Sequence, residues 1–323
     1  MRKILIQLLP KNLTKRKWLA VFITAILSLL LTLLGIYGVG VYGLSLFVLT
    51  PLFIGICPSI LIGIDSELSK KEALINGLIT LCVFTTLLVL LAMEGLICIA
   101  MAMPFGILLT TLGSLIGYYL VKKSNKNTPN FLVLFLLTIP LYSLFEKKSS
   151  PEITSVTTSI EIQASPTKVW ENVIEFPQLD PPKEFIFKTG IAFPVNAKII
   201  GKGVGAIRHC NFTTGSFIEP VTTWDEEKLL AFDVLEQPAP MKEISFWDIN
   251  APHLHDFFVS KKGQFKLTKL KNGNTLLEGT TWYYHHIKPE FYWKVWSNYI
   301  VHEIHQRVLN HIKKNSEYVR ATP

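Results

Sequence analysis

Between Trp18 and Phe145 the chain runs through long stretches of Leu, Ile, Val, Phe and Gly, broken only by short polar or basic connections. That is the pattern of helices meant for a bilayer, since crossing its hydrocarbon core takes about 20 apolar residues. Trp18 to Val39, Val41 to Ile64, Ala73 to Met93 and Leu96 to Val121 meet the requirement. Phe131 to Phe145 is shorter and holds Pro140. At about 1.5 Å per residue it reaches roughly 22 Å, so it either spans with local thinning or only enters. A bundle of four or five spans over 1–145 follows, and the balance of these signals favours five.

Charge separates this part from the rest. Residues 1–150 carry 13 Lys and Arg against 5 Asp and Glu, a difference of +8, while 151–323 carry 19 against 19. Arg2, Lys3, Lys11, Lys15, Arg16 and Lys17 precede the first span, and Lys70, Lys71, Lys122, Lys123 and Lys126 fill the second and fourth connections. The first and third connections, around Gly40 and Glu94-Gly95, hold no Lys or Arg. Basic connections stay cytoplasmic, which puts the N-terminus inside a multi-pass cell-membrane protein. If the fifth segment crosses, the C-terminal domain lies on the outer, periplasmic or extracellular, side; Lys147 and Lys148 are the contrary signal.

The first apolar run is too long for a cleaved leader and lacks a small-residue cleavage site, so it is expected to remain as a span. Glu94 is an acid inside an apolar run, the kind of residue that marks ion pathways. Its place beside Gly95, where the third span ends, instead gives an interfacial turn residue. Cys57, Cys82 and Cys98 fall in the spans and Cys210 stands alone in the second half. These supply neither a disulfide framework nor a cysteine metal site.

All eight histidines lie in the second half. A polar tether over 146–153 leads into it. Thr154 to Gln163 reads as a strand, and Ser165-Pro166 opens a short helix with Val169, Val173 and Ile174 on one face. Strands are expected at Ala197 to Ile200, Gly205 to Phe212, Ser216 to Trp224, Leu229 to Leu235, Gly263 to Leu270 and Thr275 to His285. Asn272-Gly273 predicts a type I′ hairpin between the last two. From Pro289 a helix of about seven turns runs to Asn315, with Val301, Ile304, Val308, Leu309 and Ile312 on one arc. His305 falls inside that arc and His302 at its edge. Residues 317–323 form a tail.

Strand, short helices, antiparallel strands and a long last helix make a helix-grip arrangement, so the fold class is α+β: a curved antiparallel sheet around a long C-terminal helix over 154–316. With Ile160-Glu161-Ile162-Gln163-Ala164-Ser165-Pro166-Thr167-Lys168-Val169-Trp170 as its opening, this region resembles the START-like (SRPBCC) superfamily, which includes polyketide cyclase/dehydrase and lipid-transport domains. The whole chain is similar to bacterial membrane proteins joining several spans to such a domain, through segments such as Gly203 to Cys210, Pro252 to His255, Glu278 to Tyr283 and His302 to Val308. The resemblance implies an elongated internal cavity that binds a hydrophobic small molecule or lipid.

Gln237 to Phe258, long and without periodicity, reads as either a lid or a packed crossover. Residues placed to line the cavity are His255, Trp282, Tyr284, Trp296, His302 and His305. An enzyme of cyclase, dehydratase or hydrolase type is the alternative, with His305, His253 and Asp248 as acid/base candidates. Three imidazoles with an open position would hold zinc, but no local spacing fixes a ligand set, so no metal or other cofactor is expected. The run Gly201, Gly203, Gly205 lacks the residues of a phosphate loop and reads as a strand bend. A second half without net positive charge or a basic stripe excludes nucleic acid as a partner.

Overall fold

A computed structural model describes residues 2–123, 128–146, 151–245, 247 and 249–318. The chain forms two compact units. One is Met1–Ser150 with Ile244–Pro252 and His286–Glu290; the other is Pro151–Glu243 with His253–His285 and Phe291–Pro323. Two short segments of the C-terminal half therefore count with the apolar unit.

In the apolar unit, a short helix not anticipated from sequence, α1 (Arg2–Leu8), precedes α2 (Leu13–Leu33), which ends in a π-helical stretch Leu34–Val39. A π-helical turn Ser45–Leu49 leads into α3 (Thr50–Gly63), followed by α4 (Lys70–Leu90), α5 (Leu96–Lys122) and α6 (Thr128–Glu146). Five of these stretches are long and apolar enough to cross a membrane. The fifth is longer than its sequence pattern because Thr128-Pro129-Asn130 joins its first turn and Pro140 is absorbed within the helix. Ser69 starts α4 with a capping box to Glu72, satisfying amides that the first turn leaves orphaned.

Helix α3 is the centre of this unit, buried at almost every position. It reaches α5 at backbone distance: a Cβ on Gly55 would lie 2.1 Å from the Thr110 carbonyl oxygen. Only hydrogen fits there, as is usual where apolar helices associate through small residues. Buried hydroxyls in the bundle turn back on their own helices, Thr24 donating to the Ala20 carbonyl at 2.7 Å, Thr80 to Asn76 at 2.7 Å and Ser114 to Thr110 at 2.9 Å.

The two ends of the bundle are tied by different chemistry. At one, Arg16 pairs with Asp65, Lys17 with Glu72 at 2.8 Å, and Arg2 donates to the Ile64 carbonyl at 2.8 Å. At the other, the Tyr42 hydroxyl donates to Glu94 at 3.0 Å, and the Glu146 carboxylate accepts from the Leu44 amide and from the Ser45 hydroxyl at 2.7 Å. Glu94 thus occupies the expected turn between α4 and α5, where its side chain is buried.

The second unit is one seven-stranded antiparallel sheet and its helices. Its strands are β1 (Thr154–Ile162), β2 (Pro194–Ile200), β3 (Ile207–Phe212), β4 (Gly215–Asp225), β5 (Leu229–Asp233), β6 (Phe258–Lys269) and β7 (Thr275–His285), in the order β1-β7-β6-β5-β4-β3-β2. Helix α7 (Pro166–Ile174) follows β1, and α8 (Glu290–Glu317) closes the fold. This is the helix-grip architecture. Ile162, Val169, Val173, Leu230, Leu277, Leu309 and Ile312 are its fully buried core.

Three local expectations are corrected. Strand β6 starts at Phe258 rather than Gly263, because the Gln237 side chain accepts from the Ser260 amide at 2.8 Å and holds the early residues in register. The Asn272-Gly273 turn is not type I′, since Gly273 has a positive φ (85°) and Asn272 does not. Lys269 pairs with Thr275, so the loop has an extra residue, and the Asn274 amide donates to the Asn272 side chain at 3.1 Å. The glycine run at 201–205 is the turn between β2 and β3, with all three glycines at positive φ.

Candidate functional site

Side chains alternate across a strand, so the sheet register fixes what faces α8. On β7, Thr275, Leu277, Gly279, Thr281 and Tyr283 point that way; a Cβ on Gly279 would lie 3.7 Å from Leu309 of α8. Trp282 and Tyr284 take the opposite phase, where Lys262 lies over the Trp282 ring at 4.6 Å. These two predicted lining residues therefore stand on the face turned away from α8. Their aromatic content suggested a cavity wall, but alternation decides the face.

His305 sits between helix and sheet. Its Nε2 is 2.8 Å from the Thr281 hydroxyl and its Nδ1 is 3.1 Å from Thr158, whose hydroxyl also meets His302 Nδ1 at 2.8 Å. Thr158 pairs with Gly279 across the strands. Burial, with His302 as a lesser cause, pulls the His305 pKa down to about 4, so its ring is neutral at physiological pH. His302 and His305 are thus brought together through one threonine, although the His302 side is exposed.

The other candidates are placed elsewhere. His253 is buried with its Nε2 3.5 Å from Glu243, His255 is exposed, and Trp296 is half-buried on α8. Asp248 lies outside the described residues, as does Phe246 of the same loop. The first part of that loop is a packed crossover: Ala192 donates to the Pro240 carbonyl at 3.0 Å, Lys242 to Gly190 at 2.9 Å and the Thr214 hydroxyl to Ala239 at 2.7 Å. His311, near the C-terminal end of α8, has its pKa lowered by burial and packs edge-on to Phe176 at 5.9 Å.

The sequence reading missed the most unusual feature of the α8-facing surface. Arg208 on β3 and Glu219 on β4 pair directly across the strands at 2% and 6% exposure. Three rings enclose the guanidinium, Phe232 at 5.2 Å and Phe176 and Phe265 both at 5.6 Å. Phe232 reaches this position only because Gly263 opposes it; a Cβ there would lie 2.6 Å from the ring. Burial opposes charge on Arg208, yet the neighbouring Glu219 carboxylate holds its pKa above the usual value. Burial likewise raises Glu219, with Arg208 pulling the other way. Arg208 Nε is buried without a hydrogen-bond partner. A signal was present in the sequence: Arg208 shares its strand phase with Ala206, Cys210 and Phe212, and Glu219 with Phe217 and Val221. Charged residues in the apolar phase of adjacent strands point to a paired interior site. Burial pushes the Cys210 thiol beside them up to about 12, so it is no nucleophile.

No protein-family model matches the chain, and no curated protein matches it. Among solved structures it is similar to a protein from Nitrosospira multiformis at 17% identity, covering 50% of this chain and 94% of that one, with a TM-score of 0.33. It is also similar to norcoclaurine synthase from Thalictrum flavum at 15% identity, 52% and 95% coverage and a TM-score of 0.33. A third is the Aha1 dimer from Colwellia psychrerythraea at 17% identity, 50% and 98% coverage and a TM-score of 0.27. Nothing about ligand or activity follows at these values.

Removing one member of a buried ion pair strands the other. Glu219→Leu should destabilise the protein by about 3–5 kcal/mol, and Arg208→Met added to it should restore most of that loss. Denaturant unfolding of the two singles and the double decides this; a double variant as unstable as the sum of the singles would refute the pairing. For His305 the unfolded chain, at about 6.5, binds a proton more readily than the folded one at about 4. Its contribution to stability is complete above pH 6.5 and is lost as pH falls toward 4, by up to about 3 kcal/mol. Thermal unfolding against pH should show this slope, and His305→Gln should flatten it.

Proposed function

We propose that the helix-grip domain binds a hydrophobic small molecule or lipid between α8 and the facing sheet surface, and that the spans hold it at a membrane. The observation that carries the reading is the make-up of that surface. It is apolar, with Ile199, Phe212 and Phe217 only partly covered, and it bears two fixed polar points, His305 and the Arg208–Glu219 pair. Binding sites for small molecules have this composition: mostly apolar walls with a few placed polar groups that orient the ligand. A neutral imidazole and a pair whose charges cancel suit a ligand without net charge. With both His305 nitrogens engaged by threonine hydroxyls, the ring is not free to shuttle a proton to a substrate, so binding is preferred to the cyclase, dehydratase or hydrolase alternative. Holding the domain by spans raises its local concentration at the bilayer that supplies apolar ligands.

The domain is assigned to the outer side of the membrane. Thr128, at the start of α6, is 3.5 Å from the Leu120 carbonyl near the end of α5, while Glu146, at its other end, caps Leu44 and Ser45 in the first connection. Helix α6 therefore runs from the end that holds the fourth connection to the end that holds the first. The basic residues that pair with Asp65 and Glu72 mark the cytoplasmic end.

Native mass spectrometry of the full chain, purified in detergent without added ligand, tests the binding reading. A discrete adduct of a small apolar molecule is expected, lost in the space-filling variant His305→Trp. Identical spectra without an adduct would sink the reading, and a single zinc ion lost on His253→Ala or His305→Ala would replace it with a catalytic one. Orientation is checked with C-terminal reporter fusions in bacterial cells: alkaline phosphatase should be active and green fluorescent protein dark. The reverse pattern would place the domain in the cytoplasm.

A further inference from the structure

The stretch Ile244 to Trp247 lies in the connection between β5 and β6, yet it belongs to the apolar unit. Its attachment is specific: the Leu96 amide, at the first residue of α5, donates to the Ile244 carbonyl at 3.4 Å. The same end of the bundle receives the connection between β7 and α8, where the Lys288 amide donates to the Tyr42 carbonyl at 2.9 Å. These bonds set Ile244 level with the end of an apolar helix, at the end of the bundle whose connections hold no Lys or Arg.

Ile244 is 46% exposed there, and Trp247, three residues further along the chain, is 53% exposed. The neighbouring surface of the bundle is also apolar and exposed, through Leu90, Leu91 and Leu96. A surface strap carrying Ile and Trp side chains beside such a band continues it past the helix ends. An indole there has an apolar body and one donor, which matches the depth where hydrocarbon gives way to headgroups.

We infer that Ile244 and Trp247 form a membrane-contacting strap, their side chains seated in the lipid interface at the outer end of the bundle. The occupant of this surface is the bilayer itself, and the inference rests on the membrane-spanning reading above. It makes the longest connection of the ligand-binding domain a lipid-contacting element.

The test uses the full chain in vesicles of phosphatidylcholine, with or without bromine near the glycerol end of the acyl chains. The emission of Trp247 is isolated as the difference between wild type and Trp247→Phe, and that of Trp18, exposed on α2, as the difference from Trp18→Phe. The Trp247 difference should lose more than half of its intensity in brominated vesicles and resist aqueous iodide. Quenching by iodide alone would show an indole in water, and quenching by neither would show one covered by protein; each overturns the strap. Failure of Trp18 to be quenched would instead refute the spanning reading, which keeps the two outcomes apart.

Discussion

The buried Arg208–Glu219 pair is the constraint around which the helix-grip unit is arranged. Taking a guanidinium and a carboxylate out of water costs several kcal/mol per ion, and attraction offsets this only where the geometry is fixed. Several elements supply that fixity. The direct register of β3 with β4 sets the two side chains opposite each other, and Phe232 of β5 and Phe265 of β6 cover the guanidinium from the same face. Phe176, just after α7, completes the enclosure, held by paired hydrogen bonds with Ala197 of β2 at 3.0 and 3.1 Å. A one-residue slip of β3 against β4 would turn Arg208 to the opposite face and leave Glu219 buried without it. The pair therefore selects the register, whatever it adds to net stability.

His305 is governed by the same physics with the opposite resolution. Its two nitrogens meet the hydroxyls of Thr158 and Thr281, and burial is met by staying neutral. One surface thus holds a charged but balanced point and an uncharged one, separated by apolar side chains. The two points differ in what they tolerate. The imidazole accepts or donates according to its tautomer, whereas Arg208 Nε can only donate.

Legibility in the sequence followed the reach of each signal. Apolar runs of span length stood out because nothing else produces them, and α5 begins at Leu96 as expected. The strands were found through their β-branched and aromatic content, and the long helix through its stripe from Val301 to Ile312. Failures came where the deciding partner is distant in sequence. Strand β6 gains its first residues from Gln237, and the hairpin loop is set by Asn272 and Asn274 with Glu161, which accepts from both side chains at 2.9 and 2.6 Å. In the candidate site, helical periodicity put His305 on the arc that meets the sheet, strand phase rather than composition decides the face taken by Trp282 and Tyr284, and the pairing of Arg208 with Glu219 needed the β3–β4 register in addition to strand phase.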